Sequence, residues 1–429
     1  MARHGGFGGK YSRLIAQNMQ SAAPEIVEEA RKNLTIEPYG DGLWLLRFPW
    51  VNVALIETED SLVLFDAGYA AIGPVLQDVI PSLSDKPLSH IVLSHVHIDH
   101  AYGALSLKER WPDAQIVASD LWPEMVAKEV RLGASIARYN NQPVSSHPHS
   151  IDQFAAADIM FRETLDLEIG GELFRLHHAP AETEEQIWME MPARKVIFTA
   201  DYYQGFLPNA GNGKRMQRFV EEWADALRAM AEVKPDLMLP MHGAAITDPA
   251  EISARLTLTA DALDHISAQV VRRLNTGERQ DQIAPQIDWP ERFANSPYLD
   301  QRYNRPEDIA RMVSKRWTGW WDDLPGHFSA MPFEAEAEEV IALSGGLEPL
   351  IARTRAILGQ NSALATRLAD WARYGAPNDP RALELAVDVY MARIAEADMP
   401  LQESLVYFNA AAEARALLAR LNSQTQTRE

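Results

Sequence analysis

The run Ser94-His95-Val96-His97-Ile98-Asp99-His100 constrains this chain more than any other feature. It follows His90-Ile91-Val92-Leu93, which reads as a buried strand, and precedes Ala101-Tyr102-Gly103-Ala104-Leu105, which can open a helix. Three imidazoles and a carboxylate on one strand-to-helix turn can converge on a cation, and zinc accepts both ligand types without sulfur. The chain has no cysteine, which excludes disulfides and thiolate sites, so any metal must be held by histidine and carboxylate. A histidine-rich surface loop is the plain alternative, and the position directly after an apolar strand argues against it.

Four ligands on one turn do not complete two metal shells, so further acids and histidines are needed where other strands stop. Asp66 follows the apolar run at 61–65, Glu182 lies past 173–176, Asp201 follows 195–199 and His242 follows 237–240. Adjacent His177 and His178 are a second source of a ligand near Glu182.

Around these positions, residues 43–48, 51–57, 61–65, 115–118 and 187–191 also read as short strands bounded by turn residues. A helix over 217–233 carries Phe219, Trp223, Leu227 and Met230 on one face. The alternation predicts a layered α/β domain over residues 36–275, preceded by an arm and helix over 1–35. A proline-containing linker over 276–305 then leads to an all-α region over 306–429. There Leu383, Val387, Tyr390, Met391 and Ile394 form an apolar stripe, and Pro400 is expected to close that helix.

Forty Lys and Arg against sixty Asp and Glu give a net charge of −20 over 429 residues. Non-specific nucleic-acid binding rests on clustered cations, so this balance argues against a nucleic-acid partner. No run approaches the ~18 apolar residues of a membrane span, and residues 1–34 lack the apolar core of a secretory signal. A cytoplasmic location is expected.

The turn and its downstream partners resemble the metallo-β-lactamase superfamily, whose motif is H-x-H-x-D-H and whose fold is an αββα sandwich with a two-metal site between the sheets. The resemblance implies that His95 and His97 bind the first metal and Asp99 and His100 the second. It also implies that Asp201 bridges the two, that His242 completes the second, and that Asp66 supports the site from behind. Ala179-Pro180-Ala181-Glu182-Thr183-Glu184-Glu185-Gln186 is similar to the P-G-T-E-A-P-A-E of the alkyl sulfatase branch. That similarity implies Glu182 as third ligand of the first metal, where many members of the superfamily use histidine. Gly319-Trp320-Trp321-Asp322-Asp323-Leu324-Pro325, Pro377-Asn378-Asp379-Pro380-Arg381-Ala382 and Asn409 resemble the linker and helical dimerisation domain of the same branch.

Two Zn2+ ions, a homodimer, and hydrolysis of an anionic ester with an apolar tail are what this resemblance implies. An alkyl sulfate heads the expected substrates, attacked by hydroxide held between the metals, with Asp99 and Asp201 as the catalytic carboxylates. The branch clamps its anion with an Asn and an Arg, and Asn209 and Lys214, with Arg215 next, stand at that spacing. Two departures keep a lactone, carboxylic ester or phosphoester as the alternative. Asp201 stands where alkyl sulfatases have Glu, and Lys214 lacks the bidentate fork of Arg. A di-iron redox protein is a different outcome, and His97, where such relatives carry Glu, argues against it.

Overall fold

The computed structural model describes residues 13–426 apart from residues 41, 141, 145–146 and 330, so the first twelve residues of the expected N-terminal arm lie outside the described ones. The chain divides into two compact units, the first running to Thr318 and the second from Gly319, with residues 139–140 grouped with the second. The helix Pro306–Trp317, assigned by sequence to the C-terminal region, belongs to the first unit, where it packs on the helix Pro249–Asn275.

The first unit is built on two sheets. One contains β1 (Thr35–Pro38), β2 (Leu43–Arg47), β3 (Asn52–Glu57), β4 (Leu62–Phe65), β5 (Leu88–Val92), β6 (Gln115–Ser119) and β7 (Ile159–Phe161), hydrogen-bonded in chain order. The other contains β8 (Thr164–Ile169), β9 (Glu172–His178), β10 (Ile187–Met191), β11 (Val196–Phe198) and β12 (Leu237–Leu239), also in sequence. β1 to β4 pair antiparallel and β4 to β7 parallel, and β12 pairs parallel with β11 at the end of an otherwise antiparallel second sheet.

Side chains alternate across a strand, and here the alternation separates two cores. Val53, Leu55, Leu62 and Leu64 face the helix Ile72–Leu83 through Ile72, Val75 and Leu76. Ala54, Ile56, Val63 and Phe65 face the second sheet through Leu176, Met189, Ile197 and Phe198. Burial on both faces explains why β3 and β4 read as continuous apolar runs. The rings of Phe65 and Phe198 lie 5.4 Å apart between the sheets. Trp223, Leu227 and Met230 of the helix Val220–Glu232 and Leu256 and Leu263 of Pro249–Asn275 join that inner cluster, completing the αββα order. The first of these helices starts at Val220 and not at 217, because Phe219 has a non-helical backbone, φ −105° and ψ 77°, and its N–H bonds the Ala181 carbonyl at 3.0 Å.

The turn bearing His100 lies directly on the end of β4. The Ala67 N–H bonds the His100 carbonyl at 2.8 Å and the Gly103 N–H bonds the Gly68 carbonyl at 2.9 Å. A Cβ on Gly103 would overlap the Ala67 carbonyl, which is backbone and cannot turn aside. Gly103→Ala is therefore expected to cost about 1–3 kcal/mol, and an unchanged midpoint in thermal unfolding contradicts this packing.

The second unit is helical, with Phe333–Leu343, Leu347–Ile357, Ser362–Gly375, Pro380–Ile394 and Leu401–Gln426. Asn361 and Asp379 cap two of these helices, accepting from Leu364 N at 3.0 Å and Arg381 N at 2.9 Å. Ala365, Ala369, Ala372 and Ala382 let helices approach closely around Leu350, Ile351, Leu385 and Val389. The helix carrying the expected apolar stripe ends at Ile394, six residues before Pro400. Pro400 instead leads into the next helix, where its carbonyl accepts the Ser404 N–H at 2.9 Å. Among the described residues no helix is long and apolar enough to cross a membrane.

Candidate metal centre

The strand ends bring the site residues to one edge of the sandwich. Asp66 follows β4, the turn 94–100 follows β5, Asp201 follows β11 and His242 follows β12, while Glu182 lies between β9 and β10. Asp66 is buried, with φ 60°, in the left-handed region that Asp and Asn tolerate better than other side chains. Its Oδ1 accepts the Ser94 N–H at 2.8 Å, and its Oδ2 accepts the Ser94 hydroxyl at 2.9 Å and His100 Nδ1–H at 2.7 Å.

These bonds fix the histidine tautomers. The Ser94 hydroxyl gives its hydrogen to Asp66, so it accepts from His95 Nδ1 at 2.9 Å, which leaves a lone pair on His95 Nε2. His100, donating from Nδ1, carries its lone pair on Nε2. His242 Nδ1 donates to the Trp50 carbonyl at 2.5 Å, so its Nε2 also bears a lone pair. The Asn52 amide steadies the His242 loop, donating at 2.8 Å to both the Pro240 and the Gly243 carbonyls.

Two groups of ligand atoms result, His95 with His97 and Asp201, and Asp99 with His100 and His242, each gathered within 4.8 Å. His95 Nε2 is 3.0 Å from His97 Nδ1 and 4.0 Å from Asp201 Oδ2. His100 Nε2 and His242 Nε2 are each 3.2 Å from Asp201 Oδ1 and 3.3 Å from one another, with Asp99 Oδ2 at 3.6 and 3.7 Å. One carboxylate thus turns an oxygen to each group. Glu182 Oε1 lies 3.8 Å from His97 Nδ1. Asp201 Oδ1 and Glu182 Oε2 are buried and make no hydrogen bond. Lone pairs facing lone pairs in a buried space call for a cation, and the donor set suits divalent metal.

The electrostatics agree. Burial, then His100, holds His95 well below the ordinary histidine range, and burial, then His95, does the same to His97, so both are neutral as ligands must be. Burial also pulls against His100 and His242, yet Asp201 and Asp99 outweigh it and raise both. The acids that favour positive charge at these rings would favour a metal ion in the same place. Asp201 is held well below the carboxylate range because His242 and His100 outweigh its burial. Burial pushes Glu182 up to about 7, with Arg218 pulling the other way.

The alternatives near Glu182 point elsewhere. His177 stacks on Trp188, ring centres 4.0 Å apart, and meets Glu190 at 3.1 Å, and His178 Nε2 meets the Glu184 carbonyl at 2.7 Å. Asn209 donates to Glu182 Oε1 at 2.5 Å, as befits a residue expected in the site. Lys214 is exposed, and Arg215 Nη1 sits 3.2 Å from both oxygens of Glu129. The buried guanidinium against Glu182 belongs to Arg218, 3.1 Å from Oε1 and also donating to the Glu182 carbonyl. Sequence spacing stopped at Arg215 and missed it.

Glu185 was missed as well. It is buried, and its Oε1 accepts the N–H of Val96, between two of the candidate ligands, at 2.7 Å. Glu185→Gln keeps an acceptor there and is expected to retain fold and metal. Glu185→Leu strands a buried N–H at about 1–3 kcal/mol and is expected to lower both the unfolding midpoint and zinc affinity in a chelator competition. Equal behaviour of the two variants contradicts the assigned contact.

Comparison with known proteins bears on the same residues. Residues 50–242 match the metallo-beta-lactamase superfamily and residues 279–417 match the alkyl sulfatase dimerisation family. A linear primary-alkylsulfatase of Pseudomonas sp. is 26% identical over 325 residues, covering 69% of this chain and 61% of the relative. An (R)-specific secondary-alkylsulfatase of Pseudomonas sp. is 21% identical over 346 residues, covering 72% of this chain and 51% of the relative. The chain therefore spans between half and two thirds of the length of these curated relatives. The solved structure of the stereoselective inverting sec-alkylsulfatase Pisa1 from Pseudomonas sp. superposes with a TM-score of 0.77 at 18% identity, over 90% of this chain and 66% of that one, and shares its fold. Two lone-pair clusters at the strand ends of an αββα sandwich thus lie in a metallo-β-lactamase domain, which an alkyl sulfatase dimerisation domain follows in the chain.

Proposed function

We propose that this protein is a binuclear zinc-dependent hydrolase of alkyl sulfate esters. The observation that carries the proposal is Asp201, which presents one oxygen to His95 and the other to His100 and His242. In this reading His95, His97 and Glu182 hold one ion, Asp99, His100 and His242 hold the other, and Asp201 is shared. Bound divalent ions supply Lewis acidity and bring the pKa of a water towards ~7.

The chain's own groups do the rest. Asp66 and Ser94 keep His95 and His100 in the ligating tautomer, and the Trp50 carbonyl does so for His242. Asp99, whose side chain is 23% exposed, is the most open of these ligands and is placed to orient the attacking water and take its proton. Asn209, Arg215 and Arg218 offer donors to an anionic head group beside Glu182, and exposed Lys214 adds attraction at the edge. The names of the two alkylsulfatases above support this substrate class.

Inorganic sulfate released from a medium-chain alkyl sulfate by zinc-loaded protein, beside His97→Ala, tests the proposal. Release by the wild type alone is expected, and none from fully metallated protein contradicts it. A second reading, hydrolysis of a lactone, carboxylic ester or phosphoester, draws on the shorter Asp201 and is read from a panel of such esters under the same conditions. The dimerisation match supports a homodimer. Light scattering is expected to give twice the chain mass, and a monomer at micromolar concentration contradicts this. A cytoplasmic location goes with the proposal and is tested by cell fractionation.

A further inference from the structure

A pocket beside the first ligand group is lined by His97, Glu129, Glu182, Arg215 and Arg218 among others. Its two guanidinium groups are both committed to carboxylates. Arg218 Nη2 lies 3.1 Å from Glu182, and Arg215 Nη1 lies 3.2 Å from both oxygens of Glu129, which comes from the helix Trp122–Tyr139. A third lining acid, Glu184, is answered by Lys128 Nζ at 2.5 Å. Two cations thus stand against two acids. Glu182 belongs to the proposed metal ligands, but Glu129 touches none of them. Its side chain is 2% exposed and that of Arg215 15%, so the pair is held where water screens little.

We propose that Glu129 is a specificity-determining residue that sets the charge of the anion this pocket accepts. The inference rests on the anionic-ester reading given above. A sulfate monoester carries one negative charge and a phosphate monoester at alkaline pH carries two, while their tetrahedral head groups are alike in shape. With the Glu129 carboxylate paired to Arg215, the second charge of the phosphate meets that carboxylate in place of a free guanidinium. The metal ions attract both head groups in every variant, so the contribution of Glu129 appears in the ratio of the two affinities and not in either one alone. Removing one unit of charge at a few ångströms changes such a ratio by about tenfold or more.

The test uses an alkyl sulfonate and an alkyl phosphonate of equal chain length, bound to zinc-loaded protein at a pH where the phosphonate is a dianion, with affinity read by calorimetry. Glu129→Gln is expected to shift the affinity ratio about tenfold towards the phosphonate, and Glu129→Asp, which keeps the charge, is expected to leave it near the wild-type value. An unchanged ratio in Glu129→Gln overturns the inference, as does an equal loss of both ligands, which assigns Glu129 to positioning Arg215 alone. Should Glu129→Gln not fold, Arg215→Gln supplies the opposite sign, with the ratio expected to move towards the sulfonate, and no movement overturns the inference. Wild type that binds neither probe overturns the anionic-ester reading itself, whereas sulfonate binding with a ratio indifferent to Glu129 overturns only the role given to Glu129.

Discussion

Asp201→Asn is expected to lower alkyl sulfate turnover by about a thousandfold or more, because without bound metal a water returns towards a pKa of ~15.7. The wild-type carboxylate sets Oδ1 3.2 Å from two imidazole lone pairs and Oδ2 4.0 Å from a third. An amide offers one acceptor where the site uses two, and its NH2 satisfies on one side the lone pairs that would otherwise face a cation. The variant should fold, since Asn has almost the same shape, and should lose metal from both groups in elemental analysis. Turnover within tenfold of the wild type contradicts the bridging role.

The second large effect is expected at a residue that touches no metal in this account. Asp66→Asn leaves the backbone content, because φ 60° suits Asn as it suits Asp. It removes the carboxylate that accepts from Ser94 twice and from His100 once. The ring of His100 and, through Ser94, that of His95 then lose the partner that fixes their tautomers. Outer partners of this kind are worth about 10–100-fold in metal affinity. Zinc titration against a competing chelator is expected to show that loss with the unfolding midpoint of the metal-free protein nearly unchanged. An affinity equal to the wild type contradicts the relay through Ser94.

These two residues were visible in the sequence for the same reason. Asp66, the turn 94–100, Asp201 and His242 each directly follow an apolar strand, so local pattern placed them at one edge. Glu182 could not be separated from His177 and His178 in that way. The decision depends on how β9 ends, where His177 turns onto Trp188 and Glu190 and His178 onto the Glu184 carbonyl. Arg218 needed tertiary information. The bond from Phe219 N to the Ala181 carbonyl and those from Arg218 to Glu182 join the start of that helix to the Glu182 turn. The strands Thr35–Pro38 and Ile159–Phe161 are too short to carry a pattern, whereas Thr164–Ile169 alternates between exposed and covered positions with the period of a strand. The helix Pro380–Ile394 stops without a proline, its last turn closed by backbone bonds to Ala395.

The number of metal ions that each ligand group holds tests the paired centre most directly. Elemental analysis of zinc-loaded, desalted protein should give two zinc ions per chain for the wild type and about one each for His97→Ala and His242→Ala, with alkyl sulfate turnover lost in both. A wild type that carries a single zinc and still releases sulfate at full rate, or either variant retaining two, contradicts the paired centre.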